Sequence, residues 1–186
     1  MLEYPQRISL CGFGGQGIIL AAVILGTTAV TKGNLYAVQT QSYGSEARGG
    51  QCQAELIIDH KPINSPVAEK KNLLIALFQD AYEKYIPCLE DAGVLIIDPQ
   101  LVTNQVREVK HTFAVPVTQI AVDLGNRMAA NMVMLGFVCE CFGMIQKEDL
   151  ISVVKEHVPA RFVELNVQAV EAGVSYARDN GMYFRG

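Results

Sequence analysis

The sequence predicts a three-layer α/β/α domain with a mostly parallel sheet, closed by C-terminal helices. Three observations predict it. Short β-branched runs alternate with stretches of helical spacing up to about residue 117. A glycine-rich turn, Gly12-Phe13-Gly14-Gly15-Gln16-Gly17, separates a short apolar run from a longer one. Residues 73–78 are apolar throughout, as in a central parallel strand covered on both faces. No repeat, low-complexity tract or Pro/Ser-rich linker interrupts the chain, so residues 1–186 are expected to form one domain.

Taken in order, residues 8–11 form the first strand and residues 17–31 an apolar helix, with Gly33 as its C-cap. Residues 35–40 form a second strand. After a polar, glycine-rich loop, residues 51–59 alternate Cys52, Ala54, Leu56 and Ile58 against Gln53, Glu55, Ile57 and Asp59, a half-buried strand. Residues 73–78 follow as a strand, then 79–91 as a helix kinked near Pro87. Asp80 is placed to cap that helix. Residues 94–97 form a buried strand that stops at Asp98-Pro99, and 112–117 the last one.

Beyond this point the chain turns helical. Residues 128–142 are apolar on every side apart from Asn131 and Glu140, which predicts a helix buried all round. Residues 147–157 form a short helix ended before Pro159. On the helix at 161–179, Glu164, Gln168, Glu171, Ser175 and Arg178 share one narrow stripe, so the remainder of its surface is covered.

Composition narrows the function classes. Of 186 residues, 50% are hydrophobic and 18% charged, which excludes intrinsic disorder. A soluble monomer carries about 25% charged residues; the shortfall predicts a surface covered by another chain. Net charge is −4, so the basic face that nucleic acid requires is missing. The uncharged stretch 8–31 is broken by Gly12, Gly14, Gly15 and Gly17, and the apolar run after them, 18–30, is shorter than the ~20 residues of a membrane span. Glu3 is out of place in a signal peptide. The expected partners therefore include neither nucleic acid nor a membrane. Cys11, Cys52, Cys88, Cys139 and Cys141 are odd in number and lack a C-x-x-C pair, so they predict buried thiols in a reducing cytoplasm. His60, His111 and His157 have no spacing suited to a metal or a triad, and no Ser, Cys or Thr stands in a nucleophile context. Met128, Met132, Met134 and Met144 suit a core or a subunit interface.

Gly12, Gly14 and Gly17 match G-x-G-x-x-G after a strand and before a helix, which makes the predicted sheet Rossmann-like. Dinucleotide binding also needs an acid about 20 residues further on. Residues 37–41, Ala-Val-Gln-Thr-Gln, offer neither a carboxylate nor an arginine. The loop is then either a tight strand-to-helix turn or a cradle for another anionic group. A second segment, Ser42-Tyr43-Gly44-Ser45-Glu46-Ala47-Arg48-Gly49-Gly50, brings a ring, a carboxylate and a guanidinium together. Arg48 suits a bidentate clamp on phosphate or carboxylate, with Glu46 orienting it; a solvated turn with a local ion pair is the plainer alternative.

These two loops, with Ala76-Leu77-Phe78-Gln79-Asp80-Ala81-Tyr82-Glu83-Lys84-Tyr85 and Gly125-Asn126-Arg127-Met128-Ala129-Ala130-Asn131-Met132-Val133-Met134-Leu135-Gly136, resemble the gamma subunit of the 2-oxoacid:ferredoxin oxidoreductases. The resemblance runs over nearly the whole chain. Family members more often carry Pro where Ser45 stands, and the related indolepyruvate enzymes have a His-Gly-Met type of segment instead of Ser-Tyr-Gly-x-Glu. The resemblance implies one part of a cytoplasmic, hetero-oligomeric enzyme that decarboxylates a 2-oxoacid on thiamine diphosphate. Electrons pass through [4Fe–4S] clusters to ferredoxin, and the acyl group goes to coenzyme A. It implies that alpha and beta chains, with a ferredoxin-like delta chain as a possible further subunit, hold the thiamine diphosphate, Mg and clusters. No cofactor is then bound by this chain alone, and its role lies outside the catalytic core. The form of the second loop favours 2-oxoglutarate, with pyruvate or a branched-chain 2-oxoacid as alternatives. By the same resemblance Gly12, Gly14, Gly15, Gln16, Gly17, Ser42, Tyr43, Glu46 and Arg48 face coenzyme A or the active site, with no catalytic or metal residue among them. A free-standing nucleotide-binding or redox-sensing module is the rival that the glycine loop alone allows.

Overall fold

The computed structural model describes residues 3–43 and 50–184, with Tyr43 described in its backbone only. Six strands form one sheet: β1 (Gln6–Phe13), β2 (Tyr36–Tyr43), β3 (Gln51–Asp59), β4 (Lys71–Ala76), β5 (Leu89–Ile97) and β6 (His111–Ala114), in the order β2-β3-β1-β4-β5-β6. Pairings β1–β4, β4–β5 and β5–β6 are parallel, whereas β3 runs antiparallel to both β1 and β2. The sheet is therefore mixed, with β3 alone reversed. The cause is local: β2 and β3 are consecutive and fold back on one another, and β3 inserts beside β1 where a wholly parallel sheet would place β2.

Helices α1 (Ile18–Thr31), α3 (Val117–Asp123), α4 (Ala130–Phe142), α5 (Lys147–His157) and α6 (Val163–Asp179) share the larger core on one face. The other face is covered by α2 (Gln79–Tyr85) and the following segments, through Tyr82, Ile86, Val102 and Val109 packed on Cys11, Leu74, Leu95 and Ile97. β1 and β4 carry apolar side chains to both faces, as continuous runs require. Where α2 leaves off, the second face turns polar: Gln53 donates to Ser9 at 3.0 Å, and buried Lys71 pairs with Glu55 at 3.0 Å.

Eleven of the thirteen residues of α4 are buried, as its apolar circumference predicts. The polar stripe of α6 is exposed at Glu164, Gln168, Glu171, Ser175 and Arg178. The opposite side of α6 packs on α4 so closely that a Cβ on Gly136 would strike the carbonyl oxygen of Val170, and one on Gly173 that of Val133. This crossing places two backbones in mutual contact, which only residues without a Cβ permit.

Three boundaries differ from expectation. The helix at 79–91 stops at Tyr85; Pro87 starts a 3-10 turn (Ile86–Cys88), and Leu89, Glu90 and Asp91 open β5. The last strand spans His111–Ala114, and Val117 begins α3, which periodicity alone did not suggest. α1 is capped through Lys32, and the residue in left-handed conformation after it is Asn34, not Gly33.

Candidate functional site

A cavity of about 480 Å³ opens at the carboxyl ends of β1 and β4. Here the chain leaves β1 for α1 on one face and leaves β4 for α2 on the other, so the two connections diverge and a crevice is left between them. One wall is the glycine loop, Phe13 to Gln16, and the opposite wall is Leu77, Phe78 and Leu101. Thr118, Arg127, Met128 and Ala130 complete it from α3 and the start of α4. The Phe13 and Phe78 rings meet at 5.3 Å between centroids, and Phe13 remains 40% exposed. Arg127 is the one charged side chain among the described lining residues, and it is exposed.

Each wall has a local cause. The Gln16 side chain folds back on its own loop: its amide oxygen accepts from the Phe13 N–H at 2.6 Å, and its Nε2 donates to the Leu77 carbonyl at 2.8 Å. One amide thus ties β1, the loop and the end of β4 together. Gly17, the N-cap of α1, has φ +70°, and a Cβ there would strike the Asn131 amide. Asn131 in turn donates to the Gly17 carbonyl at 3.2 Å, which makes it a hydrogen-bonding core residue. Fully buried Asp98 accepts from the Gln100 N–H at 3.0 Å and the Thr118 N–H at 2.8 Å, so it caps α3 from a distance and sets Thr118 at the cavity wall. Asn126 accepts from the Met128 N–H at 2.9 Å and shapes the 3-10 turn (Arg127–Ala129) that carries Arg127 to the rim.

Electrostatically the site favours an anion. α1 has no side-chain cap and no acidic residue in its first turn, so its first N–H groups keep their partial positive charge. Arg127 adds a full charge at the cavity wall.

Of the residues expected at the site, Gly14, Gly15 and Gln16 line the cavity. Gly12 and Gly17 lie behind it, against the side chains of Gln16 and Asn131. Ser42 pairs with Gln53 on β2, two strands from the loop. Tyr43 pairs in backbone with Cys52; its side chain, Glu46 and Arg48 lie outside the described residues. The ends of that segment reach the same end of the sheet, since Phe13 pairs with Gln51 and the Gly14 N–H donates to the Gly50 carbonyl at 3.0 Å. Arg127, Met128, Phe78 and Thr118 were not singled out as site residues. Arg127 is the only arginine near the start of a long apolar helix, which is the signal that could have found it.

The dinucleotide reading fails on topology as well as composition. A fingerprint acid must stand at the end of a strand beside β1, and here β3 separates β2 from β1. Asp80 sits in the first turn of α2 and makes no cap hydrogen bond. Four of the five thiols are shielded from chemistry by burial. Cys11, Cys52, Cys139 and Cys141 are buried, and Cys88 is half-buried. Burial pushes Cys139 up to about 12, with Glu140 adding to the rise, and Cys141 up to about 12. Cys11 is raised by burial and by neighbouring Cys52. Among the described residues no group of three His, Cys, Asp or Glu could hold a metal ion, and no helix is long and apolar enough to cross a membrane.

Comparison with known proteins places this geometry. Residues 7–176 match the family described as pyruvate ferredoxin/flavodoxin oxidoreductase. The chain is 41% identical over 181 residues to the 2-oxoglutarate synthase subunit KorC of Methanocaldococcus jannaschii, covering 96% of this chain and 97% of that one. The keto/oxoacid ferredoxin oxidoreductase gamma subunit of Geobacter sulfurreducens superposes with a TM-score of 0.85 at 36% identity, over 95% of this chain and 98% of the other. The 2-oxoglutarate:ferredoxin oxidoreductase of Magnetococcus marinus shares the fold, with a TM-score of 0.82 at 20% identity over 96% of this chain and 32% of that one. The chain belongs to the pyruvate ferredoxin/flavodoxin oxidoreductase family, as a gamma subunit of the 2-oxoacid:ferredoxin oxidoreductases.

Proposed function

We propose that this gamma subunit packs on catalytic alpha and beta chains and lines the approach of coenzyme A in a complex that converts 2-oxoglutarate to succinyl-coenzyme A and reduces ferredoxin. One observation carries the reading: an apolar cavity at the carboxyl ends of β1 and β4, lined by the glycine loop and by Arg127. Coenzyme A combines phosphates with a long, weakly polar arm, and the residues present suit both. Arg127, at the cavity wall, would hold a phosphate. Phe13, Leu77, Phe78 and Met128 would shield the arm from water. Coenzyme A supplies the thiol that receives the acyl group. Thiamine diphosphate, Mg and [4Fe–4S] clusters belong, on this reading, to the partner chains, since Cys11, Cys52, Cys139 and Cys141 are buried in the core of this one. The preference for 2-oxoglutarate rests on the KorC relative, whose name carries that 2-oxoacid.

The test uses the assembled complex with Arg127→Ala and Arg127→Glu. Loss of a charge-assisted contact to phosphate is worth about 1.5–3 kcal/mol, so the KM for coenzyme A is expected to rise ~10-fold or more. The KM for 2-oxoglutarate should stay within about twofold. An unchanged coenzyme A KM in the glutamate variant would remove the cavity from the coenzyme A path.

A further inference from the structure

We propose that two copies of this chain pair along β2, forming a two-fold dimer through an antiparallel β2–β2 contact and the α1 helices beside it. β2 is the outer strand of the sheet, eight residues long, and it pairs with β3 without a break in register from Tyr36 to Tyr43. Exposed edges are normally guarded by charge, proline, a bulge or short length. β2 has none of these: Tyr-Ala-Val-Gln-Thr-Gln-Ser-Tyr contains no charged residue and no proline. The opposite edge, β6, is only four residues long.

The neighbouring helix is equally unguarded. α1 contains no charged residue, and Val23, Thr27, Val30 and Thr31 line an open groove with Ala37 and Gln39 of β2. Val30 is 46% exposed and Tyr36 49%. A strand from an unrelated chain would cover β2 but not this helical stripe. A two-fold axis normal to the sheet covers both in one operation: it makes the two β2 strands antiparallel and keeps both α1 helices on the same face, side by side. Because the patch is uncharged, the operation opposes no like charges. Lys32, just past α1, goes to opposite ends of the interface. An eight-residue strand is about 26 Å long, and the strand and helix layers together are about 20 Å deep. That gives on the order of 500 Å² per copy, close to the lower limit for a specific interface.

The experiment measures the mass of the full chain by sedimentation velocity across a concentration series. The wild-type chain should pass from 20.3 kDa to twice that mass. Gln39→Lys with Gln41→Lys places like charges across the axis and should weaken dimerisation at least ~100-fold. Gln39→Glu with Gln41→Glu should do the same. An equimolar mixture of the two variants should dimerise again, which also shows that both fold. A wild-type chain still monomeric at millimolar concentration overturns the proposal. So does a dimer that the lysine pair leaves intact, or a mixture that stays monomeric.

Discussion

Replacing Gly136 or Gly173 by Ala should destabilise the chain, although Ala is the better helix former. At Gly136 an added Cβ would lie 2.8 Å from the Val170 carbonyl carbon and 3.0 Å from its Cα. At Gly173 it would lie 2.8 Å from the Phe137 nitrogen and 2.9 Å from the Val133 carbonyl carbon. These obstacles are backbone atoms and cannot rotate away, so α4 and α6 must separate. Overpacking of this kind costs about 3 kcal/mol, at the upper end of its usual range. The gain in helix propensity returns about 1 kcal/mol. The net loss is about 2 kcal/mol per site, which at a urea slope of about 2 kcal/mol/M lowers the unfolding midpoint by about 1 M. Because one separation relieves both clashes, the double variant should lose less than the two singles together. Urea unfolding followed by circular dichroism reads all three. A midpoint that rises by about 0.5 M, as propensity alone would give, refutes the close crossing.

Two further outcomes follow from the thiols. Under native conditions Cys88 alone should react promptly with a thiol reagent, and all five should react in denaturant; fast labelling of a second native thiol would contradict the burial of Cys11, Cys52, Cys139 and Cys141. Stability should also fall at high pH. Cys139 and Cys141 stay protonated in the folded chain up to about 12, whereas in the unfolded chain they ionise above about 9. Their contribution is complete below pH 9 and is lost as pH rises towards 12, at roughly 3 kcal/mol per pH unit for the pair once both are ionised in the unfolded chain. Denaturant midpoints between pH 8 and 11 measure this slope, and Cys139→Ala with Cys141→Ala should reduce it, leaving the part due to buried Cys11 and Cys52.

Elements whose character is set by their own residues were legible from the sequence. β1 and β4 are apolar because both faces are covered, α4 is apolar all round because it is buried all round, and α5 ends where expected, before Pro159. What depends on distant contacts was not legible. β-branched Val117 reads as the end of the last strand, yet it begins α3, which Asp98, 20 residues from Thr118, caps as a helix. Nothing local to Glu90 and Asp91 marks them as strand; the pairing of Lys71 with Leu89 draws that segment into the sheet. The insertion of β3 beside β1 is likewise a property of the whole sheet. At the site, the glycine loop was visible because its turn needs glycine. Arg127 stands at the start of an apolar helix in the sequence, but its place at the cavity follows from the packing of α4 against α1, where Asn131 meets Gly17.

The most direct test of the gamma-subunit role is an add-back measurement. Catalytic chains prepared without this subunit are assayed for 2-oxoglutarate-dependent, coenzyme A-dependent electron transfer before and after the purified chain is returned. The expected result is no turnover by this chain alone, a high KM for coenzyme A in its absence, and a fall of ~10-fold or more on its return. Turnover by the isolated chain, or a coenzyme A KM indifferent to its presence, would contradict the role assigned to it.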